Sequence, residues 1–137
     1  MGLVPESAAQ EPKAPPELRT VAMPRDANAS GDIFGGWVLS QMDVAGGVVA
    51  SRRAKGRVAT VAIEAMRFHK PIAVGDLVNC YAAIARVGTT SITVRIEAWV
   101  NRRLTGEAIK VTEGTFVYVA LDSEGRKRPV PSAGSGL

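Results

Sequence analysis

The sequence predicts an α+β fold in which one long central helix is wrapped by a curved antiparallel sheet of about five strands. Residues 37–50 are apolar on almost every side of a helical wheel, so this helix has to be buried. Four strand-like segments follow it and are joined by short turns, which is typical of an antiparallel meander. Because a flat sheet covers only one side of a helix, we expect the sheet to curl around it.

Length and composition indicate a single globular domain. The chain has 137 residues, of which 46% are hydrophobic and 22% charged. This is enough for one core and too little for two ordinary domains. We expect one domain over residues 18–128, a disordered Pro-rich tail over 1–17 and a flexible tail over 129–137.

The charge and the single cysteine narrow the function classes. The net charge is +4, but the basic residues are scattered and aromatics are only 5%, so we predict no nucleic-acid partner and leave a small phosphorylated ligand open. Cys80 excludes an intramolecular disulfide and is interpreted as a buried apolar residue. Residues 1–16 lack the apolar core of a signal peptide, and Ser40, Gln41 and Asp43 interrupt the helix. We therefore expect a cytoplasmic protein with no membrane partner.

The first elements in chain order are a short strand and a polar loop. Residues 18–23 are predicted as a strand that Pro24 stops. The loop over residues 25–32 is full of turn residues and leads directly into the helix. Gly35 and Gly36 mark the helix start, where free N–H groups and the positive end of the dipole gather. A carbonyl oxygen or an anion could be held there without a side chain.

The remaining elements are four strands. A basic segment, residues 52–56, follows the helix, and Gly56 is predicted to stop the helix. Residues 57–68 are apolar on both faces for much of their length, which predicts a strand in the centre of the sheet. Apolar residues at every second position of residues 92–100 alternate with Ser91, Thr93, Arg95, Glu97 and Trp99, as in a half-buried strand. The other two predicted strands are residues 77–86 and 108–121.

Asp43 is the residue that points to chemistry. It lies almost opposite the most apolar stripe of the helix, on a face of small residues that lets another backbone approach. A carboxylate in a buried helix is costly unless a partner pairs with it or a reaction uses it. From the residues alone, Asp43 is either a structural acid bonded to a backbone amide or a catalytic group. The apolar stripe consists of Val38, Met42, Ala45 and Val49.

Several short segments resemble the acyl-coenzyme A thioesterases of the hot-dog fold, especially the bacterial YciA type. The resemblance covers about residues 18–131 and implies a helix held in a curved sheet. It also implies homodimers whose sheets join edge to edge, commonly assembled into hexamers as trimers of dimers. The segments are 23–24 (Met-Pro), 28–37 (Asn-Ala-Ser-Gly-Asp-Ile-Phe-Gly-Gly-Trp), 40–43 (Ser-Gln-Met-Asp), 56–61 (Gly-Arg-Val-Ala-Thr-Val), 68–72 (Phe-His-Lys-Pro-Ile), 74–76 (Val-Gly-Asp) and 116–120 (Phe-Val-Tyr-Val-Ala).

This resemblance implies a role for each matching residue. Asp43 matches the catalytic carboxylate, which acts as a general base or as a nucleophile. The amides near Gly35 and Gly36 would polarise the thioester carbonyl. Asn28 matches the asparagine that faces the acid of the neighbouring subunit, and Thr60 matches a position lining the site. Acyl-coenzyme A is the implied substrate, and no metal or cofactor is expected because the coenzyme A thiolate is a good leaving group.

Basic residues and backbone donors are expected around the coenzyme A phosphates. Surface Arg and Lys side chains are often merely solvated, so the candidates of these two types could also be ordinary surface residues without a ligand. Asn28 could likewise only cap its own loop, and the glycine pair could serve only tight packing. The candidate coenzyme A contacts are Arg57, Lys70, Arg86 and the turn of Gly88, Thr89, Thr90 and Ser91.

Two other functions are compatible with the same fold. A dehydratase or hydratase needs a histidine and an acid across the substrate. His69 is the only histidine and lies beside Lys70 at a strand end, so we interpret it as structural or solvent-facing and favour the hydrolase. A non-catalytic acyl-coenzyme A sensor would be expected to lack the helix acid or to carry a regulatory domain. Neither the acyl chain length nor the physiological pathway is predicted.

Overall fold

The computed structural model describes residues 10–134, and its elements follow the predicted order. One helix and five strands are present, which confirms the predicted α+β class. A short 3₁₀ helix, Pro24–Asp26, lies in the loop before the long helix. The elements are β1 (Leu18–Val21), α1 (Gly35–Ala54), β2 (Val58–Phe68), β3 (Leu77–Val87), β4 (Ser91–Asn101) and β5 (Ala108–Ala120).

The strands form one antiparallel sheet in the order β1-β3-β4-β5-β2. The strands β3, β4 and β5 form the predicted meander. β2, however, pairs with β5 at the edge of the sheet, so its predicted central position is wrong. Several apolar side chains of β2 are exposed: Val61 is 54% exposed, Ile63 39% and Phe68 56%. The two-sided apolar pattern therefore includes surface that nothing within residues 10–134 covers.

The helix α1 packs one side against the concave face of the sheet. The predicted stripe is buried, with Val38 3% exposed and Met42 and Ala45 fully buried. The expectation that all sides of the helix are covered is wrong for the single chain, because Val44 is 55% and Val48 41% exposed. Five strands curve around one side of the helix only, and the opposite side stays open.

Both ends of α1 are set by the backbone. Phe34 is the N-cap and makes no side-chain cap hydrogen bond. The helix ends at Ala54, and Lys55 takes the left-handed conformation with φ 56°. The predicted stop at Gly56 therefore lies one residue beyond the left-handed position. Gly56 still closes the end, since Ser51 Oγ donates a hydrogen bond of 2.8 Å to its carbonyl oxygen.

The described chain extends beyond both predicted domain boundaries. Residues 10–17 lie against the sheet, where the Glu17 N–H donates to the Cys80 carbonyl oxygen at 2.9 Å. At the other end, the Val130 N–H donates to the Thr89 carbonyl oxygen at 2.8 Å. The disorder and flexibility predicted for these tails stay predictions. The rest of the predicted tails, residues 1–9 and 135–137, lies outside the described residues.

Gly46 lets β4 and β5 approach the helix closely. A Cβ at this position would overlap the hydroxyl of Tyr118 and the Cδ1 atom of Ile96. The next residue, Gly47, is different, because a Cβ there would lie 3.8 Å from the Tyr118 ring, an ordinary contact. The two adjacent glycines therefore separate the effect of close packing from the effect of helix propensity.

We expect Gly46→Ala to lower the free energy of unfolding by about 1–3 kcal/mol, the usual effect of overpacking. Gly47→Ala should leave it unchanged or raise it by up to about 1 kcal/mol, because alanine favours a helix. Thermal unfolding followed by circular dichroism at one fixed protein concentration measures both. Equal Tm values for the two variants would contradict the close approach at Gly46.

Candidate active site

Asp43 lies half-buried in the middle of α1, against β2 and β5. Thr60 Oγ1 donates a hydrogen bond of 2.6 Å to Asp43 Oδ1. The Tyr118 hydroxyl lies 3.0 Å from the same Oδ1 and 2.9 Å from the Asp43 carbonyl oxygen, so its single proton serves one of the two at a time. Among residues 10–134, no group donates to the other carboxylate oxygen, Oδ2. One oxygen of Asp43 is therefore held while the other is available.

The local structure of the sheet explains why the two hydroxyls meet. Thr60 and Tyr118 are directly opposed cross-strand partners on β2 and β5. Val61 is an extra residue in the β2 ladder, so a β-bulge follows Thr60 immediately. Bulges re-aim side chains and are frequent beside active sites. The ring of Phe116 stacks on that of Tyr118 with centroids 6.4 Å apart, which holds the tyrosine in place.

Tyr118 is a site residue that the sequence did not reveal. It lies in a segment that resembles the thioesterases, but the pattern around it indicates only a buried strand. The usable signal is chemical, because a buried tyrosine hydroxyl requires a polar partner. Burial and the nearby negative charge of Asp43 raise the pKa of Tyr118 well above its usual range. The hydroxyl therefore keeps its proton and acts as a donor throughout the physiological pH range.

The start of α1 offers unoccupied hydrogen-bond donors. No side chain caps this end of the helix. The N–H groups of Gly35 and Gly36 have no acceptor within the described part of the chain. A Cβ on Gly36 would meet nothing within 4 Å, so the space beside it is open. These amides lie at the positive end of the helix dipole and can receive a carbonyl oxygen.

A cavity of about 260 Å³ opens beside the helix start. Apolar side chains form most of its wall, and a few polar groups lie among them. Such a cavity fits an apolar group attached to a polar one. It is lined by Ile33, Gly35, Val38, Phe68, His69, Lys70, Pro71, Ile72 and Thr112.

His69 belongs to an ion-pair cluster. Its Nε2 lies 2.7 Å from a Glu113 carboxylate oxygen, and Glu113 also accepts hydrogen bonds from Arg95 at 2.9 Å and Lys110 at 3.4 Å. Burial alone would raise the pKa of Glu113, but the hydrogen bond from His69 and the cations outweigh it and hold that pKa below its usual value. This environment agrees with the structural interpretation of His69.

Asn28 makes the local contacts that are expected if it caps its own loop. Its Oδ1 accepts hydrogen bonds from the N–H groups of Ser30 at 2.9 Å and Asp32 at 3.1 Å, which caps its own loop. Its Nδ2 donates to no acceptor among the residues that the structure describes. The side chain thus orders the loop before α1 and still has donors for a second role.

The acid and the helix start are separated within one chain. Asp43 follows Gly36 by seven residues, which is about 10 Å along a helix axis. A single thioester carbonyl cannot sit on the Gly35 and Gly36 amides and also touch the carboxylate of the same helix. The two halves of the predicted site are therefore both present but not assembled by one chain.

The predicted coenzyme A contacts divide into two groups at opposite ends of β5. Near its C-terminal end, the Ala120 N–H donates to the Thr90 carbonyl oxygen at 2.9 Å, and Ala120 pairs with Val58. Near its other end, the Lys70 N–H donates to the Val111 carbonyl oxygen at 3.3 Å, beside the cavity. Lys70 thus forms one group, and the other comprises Arg57, Arg86, Gly88, Thr89, Thr90 and Ser91.

The thiol of Cys80 is not a second reactive group. Cys80 is fully buried, and burial raises the pKa of its thiol to about 12, so it is inert as a nucleophile. Within residues 10–134, no group of three or more His, Cys, Asp or Glu side chains is placed to hold a metal ion. No helix in this part of the chain is long and apolar enough to cross a membrane.

A single helix lying in a curved antiparallel sheet is the arrangement of the hot-dog fold. The family model of the thioesterase superfamily matches residues 30–107, more than half of the chain. The chain belongs to this superfamily.

Individual relatives agree with this assignment. The chain is 52% identical over 120 residues to the acyl-CoA thioester hydrolase YciA of Salmonella typhimurium, covering 85% of this chain and 90% of the relative. The hexameric thioesterase y2039 of Yersinia pestis superposes with a TM-score of 0.85 at 50% identity, covering 90% of this chain and all of that one. A hexameric broad specificity acyl-coenzyme A thioesterase superposes with a TM-score of 0.84 at 48% identity, covering 91% and 86%.

The two tyrosines of the chain make the environment of Asp43 measurable. Burial and a hydrogen bond to Glu11 raise the pKa of Tyr81 to about 12, and the pKa of Tyr118 is also raised. A free tyrosine ionises near pH 10. We expect almost no tyrosinate absorbance from about pH 10 to pH 11 while the protein stays folded.

The sign of the linked stability follows from these raised values. The stability contributed by both hydroxyls is full below about pH 10 and is lost as the pH rises from there through the folded-state pKa values. Tyr81→Phe isolates the signal of Tyr118. A tyrosine that titrates near pH 10 in this variant, with the circular dichroism of the folded state, would contradict the described site.

Proposed function

We propose that this protein hydrolyses acyl-coenzyme A thioesters to a carboxylic acid and coenzyme A, with Asp43 as the catalytic carboxylate. The observation that carries this proposal is the carboxylate itself, held at Oδ1 by two hydroxyls and available at Oδ2. Membership of the thioesterase superfamily and 52% identity to a named acyl-CoA thioester hydrolase support the reaction and the substrate class.

The chemistry follows from the two halves of the site. The thioester carbonyl oxygen binds the Gly35 and Gly36 amides, which stabilise the negative charge that develops on it. Oδ2 of Asp43 takes a proton from a water that attacks the carbonyl carbon, or it attacks that carbon itself to give an anhydride that water then cleaves. The carbon–sulfur bond breaks, and the thiolate leaves and is protonated. The proposed reaction uses no metal and no other cofactor.

Each complete site is formed by two chains. Because about 10 Å separates Gly36 from Asp43 along one helix, the amides of one chain act with Asp43 of another. The free edge of β2 offers the pairing surface, and the exposed apolar side chains of β2 and α1 offer area to bury. A two-fold homodimer that joins the sheets edge to edge brings the loop of Asn28 beside the partner's acid, which its free Nδ2 can contact.

The same pairing unites the two groups of predicted coenzyme A contacts. If two β2 strands pair antiparallel, the Phe68 end of one lies beside the Val58 end of the other. Lys70 of one chain then lies near Arg57, Arg86 and the 88–91 turn of the other, around the phosphates of coenzyme A. Three dimers form a hexamer, the state named for the similar structures. The cytoplasmic location stays a prediction from the sequence.

The first test replaces Asp43 by asparagine and follows thiol release from thioesters ranging from acetyl to palmitoyl and aromatic acyl groups. We expect turnover to fall by about 10²- to 10⁴-fold, the usual contribution of a general base. Glu107→Gln, which removes an exposed acid far along the chain, is the control and should keep full activity.

Two outcomes would overturn the proposal in different ways. Near-full activity of Asp43→Asn would exclude the carboxylate mechanism. Binding of acyl-coenzyme A by the wild type without any thiol release would indicate the sensor instead of the hydrolase.

The second test asks whether each site is shared. Asn28→Ala and Asp43→Ala chains, each inactive or weak alone, are co-expressed with different tags and purified as mixed assemblies. Random pairing makes half of the dimers mixed, each with one intact site, so about a quarter of the wild-type activity should return. Mixing Asp43→Ala with Asp43→Asn is the control and should restore nothing. Absence of recovery in verified mixed assemblies would count against a shared site.

A further inference from the structure

We propose that Tyr118 is a positioning residue of the hydrolase, which holds the Asp43 carboxylate so that Oδ2 faces the reacting atoms. The inference rests on the proposed role of Asp43 and adds a residue that the sequence did not reveal. In this role Tyr118 acts through Asp43 and does not contact the substrate.

The first support is the geometry of the carboxylate. Oδ1 receives the Thr60 hydroxyl at 2.6 Å and lies 3.0 Å from the Tyr118 hydroxyl. A carboxylate attached through one rotatable bond turns freely in solvent, and its two oxygens exchange places. Thr60 donates to Oδ1 from one strand. The Tyr118 hydroxyl, whose single proton serves Oδ1 or the Asp43 carbonyl oxygen, is a second donor from another strand, and both oppose that rotation. The available oxygen is then Oδ2.

The second support is the way Tyr118 is itself held. The side chain is 1% exposed and stacks on Phe116, so the ring cannot swing away from the helix. The residue at position 46 has no Cβ, and any Cβ there would overlap the Tyr118 hydroxyl. A glycine in the middle of a helix is destabilising relative to alanine. Its presence here is explained by the space that the Tyr118 hydroxyl and the Ile96 side chain occupy.

The third support is the direction of the electrostatics. Within the described residues, Asp43 is the one charged group whose field acts on the Tyr118 hydroxyl, and it favours the protonated phenol. The phenol therefore stays protonated and remains a donor to Oδ1 or to the Asp43 carbonyl oxygen.

The test compares Tyr118→Phe with Tyr81→Phe, which removes the other tyrosine hydroxyl of the sequence, located on β3 and bonded to Glu11. For Tyr118→Phe we expect kcat to fall about tenfold and KM to change less than about threefold. Thr60 still donates to Oδ1, so the loss is partial. Tyr81→Phe should match the wild type in both quantities.

A double-mutant comparison separates positioning from a general structural role. In the Asp43→Asn background, adding Tyr118→Phe should leave the residual turnover unchanged, because the carboxylate that Tyr118 positions is already absent. A purely structural tyrosine would lower the turnover of both backgrounds equally. Gly46→Ala gives a second route, since displacing the Tyr118 hydroxyl should lower kcat with little change in KM, and Gly47→Ala is its control.

The outcomes distinguish this inference from the proposed function. A wild-type kcat in Tyr118→Phe, with Asp43→Asn inactive, would overturn the role of Tyr118 and leave the hydrolase in place. Full activity of Asp43→Asn would instead remove the basis of both. An equal loss from Tyr118→Phe in both backgrounds would reduce Tyr118 to packing.

Discussion

The hydrogen bonding of one carboxylate oxygen to two hydroxyls is the interaction on which the rest of the site depends. Asp43 is a polar group in an otherwise apolar helix, and such a group is tolerated where partners compensate for the lost water. Thr60 and Tyr118 supply that compensation at Oδ1. Because no group within residues 10–134 donates to Oδ2, the same contacts that make the acid tolerable leave one oxygen open for the role proposed for it.

The single chain leaves apolar surface exposed, and it also keeps the acid and the helix-start amides apart. Apolar side chains of β2 and α1 are exposed, and the acid and the helix-start amides lie about 10 Å apart along the helix. In the proposed dimer, one contact surface would resolve both conditions by burying the side chains and joining the two halves. Folding and the assembly of the site would then be a single event.

Much of the architecture was accessible from the sequence because it is local. The apolar stripe of α1, the alternation in β4 and the turns between strands all depend on neighbouring residues, and they were predicted correctly. The edge position of β2 was not predicted, because a strand that is apolar on both faces has the same pattern whether its own sheet or a second chain covers it. The role of Tyr118 was not predicted either, because its contact with Asp43 depends on the β2–β5 register and on Gly46.

The irregular ladder of β2 restricts what can join the sheet at that edge. A long, flat, apolar edge strand accepts any extended chain, and repeated addition leads to fibrils. Here two interruptions, one after Thr60 and one between Glu64 and Arg67, make the ladder of β2 with β5 irregular. Bulges twist an edge strand and make it a poorer template for indefinite strand addition. In the proposed two-fold dimer, the partner strand would carry the same bulges in reverse order along the shared edge, and this pairing would favour closed assembly over open-ended growth.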